Sequence, residues 1–132
     1  MLYVESSALV KRYVAEPDSD IALRFMDAEP TLVTSRLAEV EVRRNLVRLL
    51  AGSELADKRR DFRRDLTAFD IVVLDEHVFE DAAGIAEETL CRSLDAIHLA
   101  AARRASPNAT VLTFDRRQAE AARAIGMAVL GA

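Results

Sequence analysis

Several carboxylates in this sequence fall directly after short apolar runs. Glu5 follows Leu2-Tyr3-Val4, Asp75 follows Ile71-Val72-Val73-Leu74, and Asp115 follows Val111-Leu112-Thr113-Phe114. Thr34 holds the equivalent place after Leu32-Val33. In open parallel sheets, sites form beyond the carboxyl ends of the strands, where the strand order switches. Acids placed there suit metal-assisted phosphoryl chemistry. Hard divalent cations prefer carboxylate oxygens, and clustered carboxylates repel one another until a cation joins them. Three further acids belong to helical stretches: Glu39 and Glu41 in Leu37–Ala51, and Asp95 in Ser93-Leu94-Asp95-Ala96-Ile97-His98.

Each acid also has a purely structural explanation. Glu5 can cap the helix that follows it. Asp115 with Gln118 three residues on fits a capping box. Ser93 as N-cap would put Asp95 in a first helical turn, where a carboxylate contributes roughly 0.3–1 kcal/mol. Glu39 has Arg43 four residues on, the favourable order for an exposed ion pair. Glu41 shares its stripe with Leu37, Arg44, Asn45 and Arg48. Asp75 can cap the helix after its strand; if the strand order is 3-2-1-4-5, that strand is at the edge, two strand spacings or roughly 10 Å from the first strand, and Asp75 is expected to be structural. His77 and His98 have no metal-ligand spacing and read as packed or surface residues.

The elements that must position these acids alternate. Short strands are expected at Leu2–Val4, Leu32–Val33, Ile71–Leu74, Val111–Phe114 and Ala128–Leu130. Helices are expected at Ser7–Glu16, Ser19–Ala28, Leu37–Ala51, Ser53–Phe69, Glu76–Thr89, Ser93–Ala105 and Arg116–Ile125. Strands separated by helices imply crossovers and an α/β domain with a parallel sheet covered on both faces. The alanine-rich helix Ala96–Ala105 and the stripe Leu46, Leu49, Leu50 read as core, since apolar helix faces mostly pack inward.

Composition narrows the class. At 132 residues with 51% apolar and 30% charged residues, the chain fits one globular domain, residues 1–132. No apolar run approaches the roughly 18 residues of a membrane span, and no signal peptide is read at the start, so a cytoplasmic protein is expected. Cys91 is the only cysteine, which excludes an internal disulfide and a multi-cysteine zinc site. The net charge of −4 lacks the basic footprint of a typical DNA-binding domain. With four glycines there is no Gly-rich phosphate loop and no G-x-S-x-G elbow. A phosphoryl-transfer receiver lacks its late lysine, because Lys11 and Lys58 are the only lysines. A phosphatase lacks its second acid two residues after the first, where Ser7 stands.

Four strings in order then carry a resemblance. They are Leu2-Tyr3-Val4-Glu5-Ser6-Ser7, Thr34-Ser35-Arg36-Leu37 through Val40-Glu41-Val42-Arg43-Arg44, Arg92-Ser93-Leu94-Asp95-Ala96-Ile97-His98-Leu99-Ala100, and Thr113-Phe114-Asp115-Arg116-Arg117. Together they resemble the motifs of PIN-domain ribonucleases, specifically the VapC-type toxins of toxin–antitoxin pairs, over essentially the whole chain. One departure is at Glu5, where the family carries aspartate. The extra methylene moves the carboxylate by about one bond, whereas sites need geometry within about 0.5 Å.

The resemblance implies a PIN-like sheet of four to five strands in the order 3-2-1-4-5, and hydrolysis of RNA phosphodiesters with Mg²⁺ or Mn²⁺. It selects Glu41 over Glu39. It implies Glu5, Asp95 and Asp115 as metal ligands, with Glu41 acting through a water or a second ion. Ser7 would orient the Glu5 carboxylate, and Arg92 and Arg116 would contact RNA phosphates. A cognate VapB-like antitoxin and a homodimer are expected, with no membrane partner. The other expectation is a catalytically silent PIN domain, attenuated by Glu5, that binds antitoxin or RNA.

Overall fold

The computed structural model describes residues 1–132. The apolar runs form five strands: β1 (Leu2–Val4), β2 (Leu32–Ser35), β3 (Asp70–Val72), β4 (Thr110–Thr113) and β5 (Ala128–Gly131). All pair in parallel, in the order β3-β2-β1-β4-β5. Parallel neighbours need long crossovers. Seven helices supply them: α1 (Ser6–Leu9), α2 (Ser19–Asp27), α3 (Arg36–Leu49), α4 (Gly52–Leu66), α5 (Glu76–Thr89), α6 (Ser93–Ala105) and α7 (Arg116–Ala124).

The period of two along each strand divides the core into two layers. Leu2 and Val4 of β1 and Leu112 of β4 pack with Leu9, Met26, Val42, Leu46 and Phe62 from α1–α4. Tyr3 of β1, Val33 and Val111 pack with Ile85, Leu99 and Ala101 from α5 and α6. Both faces of the sheet are therefore covered, as the alternation of elements implies. The alanines of α6 are small enough to bring that helix close along α5, and Ala96 and Ala100 to Ala102 are buried. In the leucine stripe, Leu46 is fully buried and Leu50 packs against the core, but Leu49 is exposed.

Several boundaries differ from those the sequence suggests. The stretch Ser7–Glu16 is not one helix: α1 ends at Leu9 and Val10–Arg12 is a 3-10 turn. The chain then runs irregularly into Pro17, which disfavours helix in the residue before it. The Ser19 hydroxyl holds this segment by accepting from the Glu16 N–H at 2.9 Å and donating to the Val14 carbonyl at 3.1 Å. α4 stops at Leu66 rather than Phe69, although the Phe69 ring is still buried. β3 is an edge strand with one neighbour; it ends at Val72, and Val73 beyond it is 74% exposed. β2 instead runs on through Thr34 and Ser35, because Thr34 donates its hydroxyl to the Val4 carbonyl at 2.8 Å and pairs with Ile71 of β3.

Candidate active site

From β1 the chain builds outward to β2 and β3 on one side, then returns to place β4 and β5 on the other. That switch opens a crevice beyond the carboxyl ends of β1 and β4. A cleft of about 320 Å³ lies there. Glu5, Ser7, Glu41, Arg92, Asp95 and Asp115 all line it, together with Ser6, Asn45, Ser93 and Leu94. Arg116, at the exposed start of α7, does not line the cleft. Asp75 is also elsewhere, capping α5 through the Val78 N–H at 3.0 Å.

Glu5 is 5% exposed and serves two purposes at once. Its Oε2 caps α1 by accepting from the Ser7 N–H at 2.9 Å. The same oxygen accepts from the Ser7 hydroxyl at 2.5 Å and from the Thr113 hydroxyl at 3.1 Å. Oε1 accepts from the Ser6 hydroxyl at 2.6 Å. Ser7 Oγ also accepts from the Phe114 N–H at 2.9 Å, which ties α1 to the end of β4. The carboxylate is thus held by hydroxyls from the start of α1 and from the end of β4.

Asp115 caps α7, with Oδ1 accepting from the Gln118 N–H at 3.1 Å. The expected capping box is only half made. The Asp115 N–H already donates to Thr113 Oγ1 at 3.1 Å, and the Gln118 amide is buried without a partner. Asp115 Oδ2 faces Arg92 Nη2 at 2.7 Å. Asp95 lies in the first turn of α6, whose N-cap is Arg92 rather than Ser93. Arg92 Nε reaches Asp95 Oδ2 at 3.0 Å, so one guanidinium joins two carboxylates. Burial pushes the Asp95 carboxyl above the usual range; Arg92 opposes that, while Asp115 and Glu5 add to it. The two aspartates in turn raise the Arg92 pKa.

Glu41 projects from α3 toward α6. Glu39 turns away and pairs with Arg36 at 3.0 Å, three residues back, instead of with Arg43. The partner of Glu41 is His98, whose Nε2 lies 2.5 Å from Glu41 Oε1 and 3.8 Å from Glu5 Oε1. His98 is packed, 1% exposed, and it is also part of the site. Spacing against other ligand types gives no hint of it. The available signals were its place three residues after Asp95, on one helix face, and a buried Tyr3 whose hydroxyl needs a partner.

The donor chemistry suits a divalent cation. Four carboxylates converge on one cleft, and two of them already share a positive group. The most closely gathered donor atoms belong to Glu5, Glu41 and His98, all within 4.8 Å of one another. Asp95 and Asp115 stand together at the guanidinium of Arg92. No helix is long and apolar enough to cross a membrane.

Known proteins share both sequence and fold. The PIN domain family model matches residues 2–124. The chain is 40% identical over 130 residues to Ribonuclease VapC46 of Mycobacterium tuberculosis, covering 98% of this chain and 95% of the relative. A toxin–antitoxin complex from Klebsiella pneumoniae superposes with a TM-score of 0.74 at 17% identity, covering 98% of this chain and 96% of that one. VapC20 of M. tuberculosis, described as a sarcin-ricin loop cleaving toxin, superposes with a TM-score of 0.74 at 17% identity over 92% of this chain and 95% of its own. The crevice acids thus sit in a fold and a sequence neighbourhood that agree, and the chain belongs to the PIN-domain family, in its VapC branch.

Proposed function

We propose that this chain is a Mg²⁺- or Mn²⁺-dependent endoribonuclease, a toxin neutralised by a cognate VapB-like antitoxin. The observation that carries the reading is the convergence of Glu5, Glu41, Asp95 and Asp115 in one cleft at the sheet's switch point. The ribonuclease name of the 40% identical relative supports the reaction class, and the toxin–antitoxin neighbour supports the partner.

In this reading Glu5, Asp95 and Asp115 would hold the cation, and Glu41 would orient the attacking water. When bound, the ion supplies Lewis acidity at the phosphoryl oxygen and stabilises the departing 3′ oxygen. Ser7 fixes the Glu5 carboxylate through its hydroxyl and N–H. Arg92, which joins Asp95 and Asp115, would pair with an RNA phosphate, a group its planar fork suits. Arg116 contributes a second phosphate contact from the rim. The resemblance of the four motifs further supports a homodimer acting in the cytoplasm.

One observation favours a second reading, a silent or attenuated domain that binds antitoxin or RNA. Both oxygens of Glu5 are already engaged by hydroxyl or N–H donors, which restrains the longer side chain from turning to a metal. Cleavage of a structured RNA with Mn²⁺ or Mg²⁺ by the native chain, Glu5→Asp and Asp95→Ala separates the two. Cleavage by the native chain that is lost in Asp95→Ala is the expected result. Cleavage by Glu5→Asp alone assigns the site but makes this chain attenuated. Cleavage by none of them over several RNAs leaves the binding domain as the reading.

A further inference from the structure

Tyr3 is the middle residue of the central strand and is fully buried. Its hydroxyl lies 2.9 Å from Ser35 Oγ at the end of β2 and 2.9 Å from His98 Nδ1 on α6. His98 Nε2 then meets Glu41 Oε1 on α3. A continuous polar line therefore crosses two strands and two helices and surfaces in the cleft at Glu41.

Chemistry sets the direction of this line. An ionised carboxylate only accepts, so Nε2 carries a proton. In a neutral imidazole Nδ1 is then an acceptor, so the Tyr3 hydroxyl donates to it. The Tyr3 oxygen is left to accept from Ser35. Burial raises the Tyr3 pKa, which keeps the phenol protonated. The two rings also meet edge to face, with centroids 5.9 Å apart and planes at 66°. The imidazole is fixed by a bond at each nitrogen and by a ring against its edge. On the far side, Glu41 lines the cleft, with Oε1 committed to His98 and Oε2 making no protein hydrogen bond.

We propose that Tyr3 and His98 are positioning residues: they hold the Glu41 carboxylate in one orientation beside Glu5, leaving its second oxygen aimed at the attacking water. This deepens the nuclease reading above and rests on it. The competing account is a staple that only joins β1 to α6. The two differ in coupling. Loss of a staple costs the same whatever residue stands at 41, whereas loss of a positioner costs nothing further once Glu41 is gone.

A double-mutant cycle tests this. Tyr3→Phe keeps the ring and deletes the hydroxyl. It is expected to lower kcat about tenfold with KM nearly unchanged, the scale of loss when a partner of an active-site ligand is removed. In a Glu41→Ala background the same change is expected to cost less than about twofold. His98→Gln, which keeps an N–H donor toward Glu41, is expected to retain more activity than His98→Leu, which has none. A second readout needs neither RNA nor metal. In the ¹H–¹⁵N spectrum of the metal-free chain, the His98 Nε2–H gives a downfield imidazole resonance that moves in Glu41→Ala and broadens in Tyr3→Phe. Failure to cleave RNA would count against the nuclease reading, and the spectrum would still decide the relay. Equal losses with and without Glu41, or an unprotonated Nε2 in the native chain, would overturn the proposal.

Discussion

Asp75 and Asp115 occupy matched places in the chain. Each follows a β-strand, each caps the next helix, and the cap distances are alike, 3.0 Å to the Val78 N–H and 3.1 Å to the Gln118 N–H. Each turns its other oxygen to an arginine, Arg104 at 3.4 Å and Arg92 at 2.7 Å. Local bonding therefore does not distinguish them. Their strands do: β3 is at the edge of the sheet, while β4 lies against β1 at the switch in strand order. Arg92 also reaches Asp95, so Asp115 belongs to a group of acids, whereas Arg104 joins Asp75 to no second acid. A strand-end acid becomes a candidate for catalysis through its strand's neighbours, and its capping bond is silent on the matter.

The sharpest way to break this comparison is to remove one charge at a time and keep the caps. Asparagine retains an oxygen that can accept from the i+3 N–H. Asp115→Asn is expected to lower RNA cleavage by roughly 100-fold or more, because metal-assisted stabilisation is worth several kcal/mol and each 1.36 kcal/mol is tenfold. Asp75→Asn is expected to leave cleavage within about twofold of the native chain, as changes away from a site do. Initial rates on one structured RNA at fixed Mn²⁺ check both. A large loss in Asp75→Asn would mean that the edge of the sheet takes part in the site.

Metal-linked stability is the next largest contrast. A cation that binds only the folded chain stabilises it by about 2.7 kcal/mol at 100 times its Kd. Thermal unfolding with and without Mn²⁺ should show this gain in the native chain and in Asp75→Asn, but not in Asp95→Asn. Without metal the order reverses. Burial, helped by Asp115 and Glu5, holds the Asp95 carboxyl above its usual range, so the ionised form is a cost to the folded state. Asp95→Asn should therefore raise Tm at neutral pH. That gain should disappear below the ordinary aspartate pKa of about 3.9, where the carboxyl is protonated whether folded or not. A native chain whose Tm ignores Mn²⁺ would sink the metal assignment.

Much of this arrangement was legible in the sequence because the strands and the acids follow local rules. Apolar runs of three or four residues separated by helical stretches imply a parallel sheet. The four motif strings carry the strand order, and that order sets Asp75 apart from Glu5 and Asp115. What was not legible depends on side chains that meet across elements. His98 has no ligand spacing in sequence; only the fold brings it against Tyr3 of β1 and Glu41 of α3. Arg92 reads as a phosphate contact, and only the fold brings its guanidinium against two acids from different elements, Asp95 and Asp115. Glu39 has a favourable partner four residues on, yet the bond forms with Arg36. On exposed helix faces such pairs differ by only a few tenths of a kcal/mol. The end of α1 is equally weakly encoded, since a 3-10 turn can continue the same apolar spacing for a few residues.

The smallest effect tests the likeness of the two aspartates directly. If capping is equal at both sites, alanine should cost the metal-free chain about 1 kcal/mol at either position. The neighbouring arginines add little to this. Arg104 and Arg92 are 55% and 63% exposed at the side chain, and exposed pairs are worth little once solvent screens them. At Asp115 a second term works the other way: deleting its charge relieves repulsion on Asp95. Asp115→Ala should therefore be slightly less destabilising than Asp75→Ala in urea unfolding without metal, even though it is the change expected to abolish cleavage. The same pair of variants would then rank in opposite orders for stability and for activity. A residue that only capped could not produce that inversion, and cleavage by Asp115→Ala equal to that by Asp75→Ala would place Asp115 beside Asp75 as a cap alone.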